Sequence, residues 1–354
     1  MAECNPTADG SLPMPLVGRQ IQLDRYPRGE VAASDFCVAE VPVAQPGPGE
    51  VLVRNTWTSV DPGLRLRLCE SSPSGYFPAF PCHAPMDGIM TVGEVIESRA
   101  TGFAQGDVVW HALGWRDYAV VEAGASALGG LGTLARLDTE LAAPRSYLGP
   151  LGGMGLTAYA GLFEVAGLRD GDVVWISAAA GAVGSLAARF AKLRGHRVIG
   201  SAGSVEKVAY LRDELRLDVA FNHRTAPVAK LLAEAAPSGI DVYFDSVGGD
   251  HLEAALGALR RRGRVVLCGA VSQYNGDEPP RGPRNLFQVT ANELTLRGLR
   301  GSAHMHVMPA MQREVAAWSA TAVCATESRS STGSSWHRLR WCACSRERRS
   351  ARRS

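Results

Sequence analysis

The stretch DVVWISAAAGAVGSLAARFAKLRG, residues 172–195, decides the fold of this chain. Residues 172–178 are apolar enough for a buried strand, and residues 185–195 space their apolar side chains as a helix does. Between them, Ala178, Gly181 and Gly184 stand in A-x-x-G-x-x-G spacing. Small residues in a strand–turn–helix unit let the backbone approach a pyrophosphate, which the helix N-terminus attracts. The stretch therefore predicts a dinucleotide site, with a turn packed tightly for the fold alone as the alternative.

The same alternation of strand and helix continues after this unit. Apolar strands alternate with amphipathic helices, which indicates a parallel sheet covered on both faces, a doubly wound α/β Rossmann domain. The predicted strands are residues 172–178, 197–202, 219–222, 240–247, 263–270 and 293–299, and the clearest helices are residues 185–195 and 250–263.

The residues before 146 have a different pattern, in which short apolar runs alternate with Gly/Pro turns. Residues 50–60, 88–98 and 106–113 are typical strands of an all-β unit. A length of 354 residues suits two domains. We predict four parts: a β domain, a Rossmann domain, a segment that returns toward the β domain, and an atypical tail, with bounds at 1–145, 146–300, 301–318 and 319–354.

Composition excludes several classes of protein. The chain is 46% hydrophobic and 20% charged, which fits a globular protein and excludes a mostly disordered chain. No uncharged apolar run approaches the length of a membrane span, so we expect no membrane partner. Lys plus Arg (37) nearly balances Asp plus Glu (35), so no nucleic-acid partner is predicted. The cysteines are scattered and no secretory signal is present, which favours a reduced, cytoplasmic location.

The end of the second Rossmann strand indicates which dinucleotide binds. An NAD site usually has an acid there, but residues 200–204 read GSAGS. Lys207 follows, and its ammonium could pair with a 2′-phosphate; a solvated lysine at a helix start is the alternative. His223 and Arg224, after the third strand, could close the same pocket. The pattern therefore favours NADP over NAD.

Ligands for a catalytic metal are missing. Residues 58–62 read TSVDP, with no cysteine at that strand end, and no C-x₂-C-x₂-C lobe exists. We predict no metal, and therefore a substrate that is already electrophilic at carbon. An α,β-unsaturated carbonyl accepts hydride at its β-carbon and leaves an enolate, whose charge needs only a hydrogen-bond donor. Tyr274, after the fifth strand, is the candidate donor, or else an aromatic side chain that only packs.

Six strings carry a resemblance to a known family: SVDPGLRLR (59–67), PLGGMGLTAYAGL (150–162), SAAAGAVGS (177–185), GSVEKVAYL (203–211), DVYFDSVGG (241–249) and LCGAVSQYN (267–275). The sequence resembles the zinc-free medium-chain dehydrogenase/reductases of the leukotriene B4 dehydrogenase, prostaglandin reductase and alkenal double-bond reductase group. The likeness spans about residues 16–318. It implies a GroES-like β domain, a Rossmann domain, NADPH and often a homodimer.

The resemblance also implies roles for particular residues. It assigns the pyrophosphate to Gly181, Ala182, Val183 and Gly184, the 2′-phosphate to Lys207, the loop along the cofactor to Cys268, Gly269, Ala270, Val271, Ser272, Gln273 and Tyr274, and the nicotinamide surroundings to Leu299, Arg300 and Gly301. His223 replaces a cofactor-contacting Tyr of the family, and Ser246 replaces an Asn. Tyr274 matches the Tyr credited with assisting enolate formation and protonation, together with the ribose 2′-hydroxyl.

The predicted function is NADPH-dependent reduction of the C=C bond of α,β-unsaturated ketones and aldehydes. One alternative is a quinone reductase or an alcohol/ketone oxidoreductase of the same superfamily. Another is an inactive NADPH-binding protein, made so by an altered C-terminus.

The tail motivates this last alternative. Residues 320–354 contain eight arginines and two glutamates and have no helical or strand period. Reading from Cys324 in the neighbouring frame allows a family-like ending, so we hypothesise that a frameshift, in the gene or in its record, replaced the true C-terminus. Sequencing the 3′ end of the gene tests this. A nucleic-acid-binding arm is the rival interpretation of the tail.

Overall fold

The computed structural model describes residues 16–275 and 282–320, with side chains to residue 318. These residues divide into two compact units between Leu148 and Gly149. Of the predicted tail, residues 319–354, the backbone of the first two ends the last helix, and residues 321–354 lie outside the described residues. Within them, no helix has both the length and the apolarity that a membrane span requires.

The first unit is built from antiparallel strands, as the short apolar runs predict. The strands are β1 (Val17–Leu23), β2 (Phe36–Pro42), β3 (Glu50–Thr58), β4 (Thr91–Ser98), β5 (Val108–His111), β6 (Tyr118–Glu122) and β7 (Ala135–Arg136). β1 and β2 pair with each other, and the other five form a sheet in the order β6-β3-β4-β5-β7. Short 3₁₀ helices connect them at Ala33–Asp35, Pro62–Arg67, Leu128–Gly130 and Pro144–Leu148. Apolar side chains such as Val53, Val95 and Val109 fill the core.

The second unit contains the parallel sheet. Its strands are β8 (Val173–Ile176), β9 (Arg197–Ala202), β10 (Val219–Asn222), β11 (Ile240–Asp245), β12 (Leu259–Leu267) and β13 (Thr295–Gly298), in the order β10-β9-β8-β11-β12-β13. Numbered within the unit, this is the order 3-2-1-4-5-6 of a Rossmann domain, so the predicted fold class is confirmed. The rings of Trp175 and Tyr243 stack in the core of this unit, with their centroids 4.4 Å apart.

The helices of this unit are α1 (Gly153–Tyr159), α2 (Ala182–Leu193), α3 (Val205–Ala209), α4 (Val228–Ala235), α5 (Gly249–Ala258), α6 (Phe287–Ala291) and α7 (Met308–Ala320). π-helical turns at Ala160–Val165 and Tyr210–Glu214 continue α1 and α3, and 3₁₀ helices cover Val271–Gln273 and Gly301–Val307. The predicted return segment, residues 301–318, is thus a 3₁₀ helix followed by most of α7.

One predicted helix is too long. The pattern of residues 250–263 suggests a single helix, but α5 ends at Ala258, and Leu259 is already extended. β12 begins there, and its register against β11 shifts between Ile240 and Val242. The arginines that follow Leu259 bind carboxylates at the edge of the sheet, as Arg260 does with Asp241 at 2.7 Å. Their spacing therefore reflects long-range ion pairs rather than a helix face.

Candidate functional site

Six strand ends place the predicted residues at one edge of the second unit. Because β8 to β13 are parallel, their carboxyl ends lie along the same edge of the sheet. The residues that follow successive strands are Gly181 after β8, Gly203 after β9, His223 after β10, Ser246 after β11, Cys268 after β12 and Leu299 after β13. The fold thus collects side chains that are far apart in the sequence.

The turn after β8 packs closely against the start of α2. Ala178 has φ 47°, a left-handed conformation in which a side chain is strained, and its carbonyl accepts a hydrogen bond from the Gly181 N–H at 2.8 Å. A Cβ on Gly184 would lie 2.4 Å from the Ala178 oxygen, so only glycine fits there. α2 begins at Ala182 and has no acid in its first turn. Its free N–H groups and positive dipole end therefore suit a phosphate.

A second pocket lies beside Gly203. A Cβ there would meet the His223 ring at 3.2 Å and the Arg224 Nε at 3.4 Å, so both side chains border the space that glycine leaves. Lys207 lies in the first turn of α3, where its N–H donates to the Ser204 hydroxyl at 3.3 Å. Lys207 and Arg224 are exposed, so their charges are available to an anion. This pocket is where the sequence predicts a 2′-phosphate.

His223 contributes shape rather than charge. Burial and the neighbouring Arg224 lower its pKa, so the ring is neutral at pH 7. The ring lies 4.9 Å from the ring of His251, edge to face. His223 Nδ1 and His251 Nε2 are buried without a hydrogen-bond partner. Burial first, and then His223, lower the pKa of His251 to about 4. The positive charge of the pocket therefore comes from Lys207 and Arg224.

One acid, Glu206, lies next to Lys207 in the sequence and was not predicted to have a role. Glu206 precedes Lys207 on the first turn of α3, where backbone and Ser204 hydrogen bonds lower the pKa of its carboxyl. The carboxylate is therefore ionised and engaged in capping its own helix, a role that acids near an N-terminus favour. The signal was present in the sequence SVEK, residues 204–207, as an acid in the first turn of a helix.

Asp245, at the end of β11, is a second residue that sequence reasoning missed. Its Oδ1 accepts hydrogen bonds from the Tyr243 hydroxyl at 2.7 Å, the Val247 N–H at 2.9 Å and the Gly248 N–H at 2.8 Å. Its backbone oxygen accepts from the N–H groups of Cys268 and Gly269. This one buried residue therefore joins the loop after β11 to the loop after β12. An acid directly after an apolar strand was the available signal.

The loop from Cys268 to Tyr274 is held by local hydrogen bonds. The Ala270 N–H donates to the Tyr274 Oη at 3.3 Å, and the Ser272 hydroxyl donates to the Val247 oxygen at 2.6 Å. The Gln273 N–H donates to the Ala270 oxygen at 2.8 Å, and Val271 begins this short 3₁₀ turn. The Ser246 N–H donates to the Ser177 hydroxyl at 2.9 Å. Ser246 and Tyr274 thus lie on two loops that Asp245 connects.

Two side chains of this loop have raised pKa values. Burial raises the pKa of Tyr274, so its hydroxyl keeps the proton at neutral pH. Because the Tyr274 oxygen accepts from Ala270, its hydrogen remains available to another acceptor. Burial raises the pKa of the Cys268 thiol to about 12, which makes this cysteine a poor nucleophile. The loop therefore offers one proton donor and no reactive thiolate.

The stretch Leu299–Gly301 continues from β13. The Leu299 N–H donates to the Leu267 oxygen at 2.9 Å, which extends the pairing with β12. A Cβ on Gly301 would lie 2.6 Å from the Thr157 Oγ1 of α1, so Gly301 packs closely against that helix. Arg300 lies between Leu299 and Gly301 in the sequence. The backbone here is thus fixed by sheet and helix together.

At the end of β3 in the first unit, residues 58–62 include no cysteine or histidine that could bind zinc. There Ser59 donates to the Asp61 carboxylate at 2.6 Å, and burial raises the pKa of Asp61 to about 6. In the parts of the chain that are described, one group of three side chains could hold a metal ion, namely Glu164, His304 and His306. All three residues belong to the second unit.

Comparisons with known proteins identify the family. Residues 19–128 match the N-terminal domain of oxidoreductase and residues 182–317 match the zinc-binding dehydrogenase family. The NADP(+)-dependent 2-alkenal reductase of Nicotiana tabacum is 35% identical over 295 residues, which cover 82% of this chain and 83% of that protein. The NADPH-dependent curcumin reductase of Escherichia coli is 34% identical over 316 residues, covering 85% and 88%.

Solved structures agree with these relatives. The crystal structure of CurA from Vibrio vulnificus in complex with NADPH matches with a TM-score of 0.78 and 32% identity, covering 86% of this chain and 89% of that one. The chain therefore belongs to the medium-chain dehydrogenase/reductases, in the zinc-free group that includes the alkenal and prostaglandin reductases. Its fold and its absent zinc ligands at Thr58–Pro62 fit that group.

Proposed function

We propose that this protein is an NADPH-dependent reductase of activated C=C bonds in α,β-unsaturated ketones and aldehydes. The observation that carries the proposal is the pair of anion pockets at neighbouring strand ends, one at Gly181–Gly184 and one at Gly203. The second pocket has two cationic side chains and lacks the strand-end carboxylate of an NAD site. Relatives named as alkenal and curcumin reductases support the substrate class.

The turn of residues 181–184 after β8, called the cradle below, fits the pyrophosphate of a dinucleotide. Gly184 lets α2 approach the strand, and Ala182 to Gly184, the first turn of α2, supply backbone N–H groups that have no partner within the helix. Lys207 and Arg224 would hold the 2′-phosphate by charge, while His223 limits the width of that pocket. The sheet order brings these two pockets side by side, because β8 and β9 pair directly.

When bound, NADPH supplies the hydride for the β-carbon of the substrate. The protein's part is to position the reactants and to stabilise the charge that develops on the carbonyl oxygen. The loop of Ser246 to Gly248 and the loop of Cys268 to Tyr274 both hydrogen-bond to Asp245, which restrains their backbones. Leu299 to Gly301 form the next strand end along the same edge.

Tyr274 is the proposed proton donor. Its raised pKa keeps the phenol protonated, and its hydrogen is not used by Ala270. A phenol of this kind can donate a hydrogen bond to an enolate oxygen and pass a proton toward it, together with the ribose 2′-hydroxyl. No charged Lewis acid is needed, because the conjugated carbonyl is already electrophilic at its β-carbon.

Full-length protein tests the proposal in two stages. Fluorescence titration measures the dissociation constants of NADPH and NADH, and we expect NADPH to bind at least about tenfold more tightly, the value of one additional charge-assisted contact. NADPH consumption is then followed with enals, enones, quinones and simple ketones. Turnover of enals and enones supports the proposal. Turnover of quinones or ketones alone contradicts it, and binding without turnover favours an inactive NADPH-binding protein.

We further propose that the protein is a cytoplasmic homodimer that does not bind nucleic acid. The family resemblance supports the dimer, and the near balance of acidic and basic residues supports the absence of a polyanion partner. Sedimentation equilibrium tests the dimer. Salt-dependent DNA binding that disappears on deletion of residues 320–354 would contradict the proposed absence of a nucleic-acid partner.

A further inference from the structure

We propose that Glu164, His304 and His306 form a binding site for a divalent transition-metal ion of the Co²⁺ to Zn²⁺ type. One ligand atom from each side chain lies within 4.8 Å of the other two. Two imidazoles and one carboxylate form a ligand set typical of zinc and related ions. This proposal does not depend on the proposed reductase function.

The backbone brings the two histidines together. They are two residues apart in the 3₁₀ helix Gly301–Val307, where regular geometry would turn their side chains away from each other. His304 instead has φ −117° and ψ 25°, a break in the helix. The two rings consequently lie with their centroids 6.0 Å apart. The local break therefore creates a pair of imidazoles on one side of the segment.

Glu164 supplies the acidic ligand from the π-helical turn Ala160–Val165. Its Oε2 lies 3.5 Å from the His306 Nε2. Two ligands at about 2.0–2.1 Å from a tetrahedral ion are separated by about 3.4 Å, so this pair already has suitable spacing. Rotation of the His304 side chain closes the remaining distance, and water takes the fourth position.

His304 also provides an unsatisfied polar atom. Its Nδ1 is buried and has no hydrogen-bond partner. An unpaired buried nitrogen costs free energy, which a bond to a metal ion would recover. His306 and Glu164, with side chains 63% and 42% exposed, leave the site open to ions from solvent.

A bound ion would link two segments of the second unit. One is the turn Ala160–Val165, and the other is the 3₁₀ helix Gly301–Val307, which follows the stretch Leu299–Gly301 directly. The ion would therefore hold residues 301–307 against the turn and slow the exchange of their amide hydrogens.

Titration of the full-length protein with Co²⁺, followed by visible absorption and by Zn²⁺ competition, tests the site. We expect one ion per chain, a d–d spectrum without a thiolate charge-transfer band, and displacement by Zn²⁺. His306→Gln and Glu164→Gln should each weaken binding at least about tenfold, the scale of losing a metal-site partner. His83→Gln is the matched control, since His83 is also an exposed histidine beside a carboxylate, 3.9 Å from Asp24, and it should bind as the wild type does.

Hydrogen exchange gives a second measurement. Zn²⁺ should slow exchange in residues 301–307 of the wild type and of His83→Gln, but not of His306→Gln. Both substituted ligand residues are solvent-exposed, so circular dichroism should show folded variants. Wild-type binding in both ligand variants, a thiolate band at the tight site, or no binding at millimolar Co²⁺ would each overturn the proposal.

Discussion

The Gly184→Ala substitution tests the cradle after β8 most sharply. The new Cβ would lie 2.4 Å from the Ala178 oxygen and 2.9 Å from the Ala179 Cα, both of them backbone atoms that cannot rotate away. The turn has to shift, and overpacking of this kind costs about 1–3 kcal/mol. The better helix propensity of alanine returns up to about 1 kcal/mol. Because both contacts are to backbone atoms, the cost lies in the upper part of that range, about 2–3 kcal/mol, so the expected net loss of stability is about 1–2 kcal/mol.

Gly181→Ala is the matched control, because it adds the same methyl group three residues earlier. There the Cβ would meet a single atom, the Ala178 oxygen, at 3.1 Å. We expect a change in stability below about 0.5 kcal/mol for this variant. Thermal unfolding followed by circular dichroism should place Gly184→Ala about 2–8 °C below the wild type and Gly181→Ala close to it.

The same two variants also test whether the geometry of the turn determines the affinity for NADPH. The shifted turn in Gly184→Ala changes the N–H groups that face the phosphate, so NADPH affinity should fall at least about tenfold. Equal unfolding temperatures for the two variants, or a Gly184→Ala protein as stable as the wild type, would refute the packing argument.

Three further predictions concern charge and protons. Lys207→Met removes a cation beside Gly203, so fluorescence titration should show NADPH affinity about 10–100-fold weaker and NADH affinity unchanged; equal losses for both would contradict a 2′-phosphate contact. Tyr274→Phe removes the proton donor, so kcat for enones should fall about 10²–10⁴-fold in steady-state assays with NADPH affinity retained; an unchanged kcat would exclude the role. Burial lowers the pKa of His111 to about 3, so the unfolded chain takes up a proton below pH 6.5 while the folded chain does not. Between pH 6 and 4, chemical denaturation should show stability falling about 1.4 kcal/mol per pH unit more steeply in the wild type than in His111→Asn, and parallel curves would contradict this.

Much of the second unit could be predicted because its signals are local. The strand limits at 197–202 and 219–222 match β9 and β10, since each strand is a short apolar run closed by polar or glycine residues. The glycine spacing after β8 indicates that two parts of the backbone lie close together there, and Gly184 and Ala178 account for most of this contact. Such features depend on sequence neighbours, so a linear pattern reveals them.

Features that depend on distant partners were not predictable in the same way. The start of β12 at Leu259 depends on its pairing with Ile240, and the arginines after it bind distant carboxylates. Asp245 was missed because its importance lies in hydrogen bonds to residues before and after it and to a second loop. The kink at His304 that pairs two imidazoles also has no sequence signature, since glycine and proline are absent from that position.

The proposed reaction transfers a hydride from NADPH to the β-carbon of an activated alkene without a metal ion. The most direct measurement uses NADPH deuterated at the transferable position, an α,β-unsaturated ketone and a strong chelator, with the product analysed by NMR. We expect one deuterium at the β-carbon and an initial rate that the chelator leaves unchanged. Deuterium on the carbonyl carbon, or a rate that the chelator abolishes and Zn²⁺ restores, would contradict it.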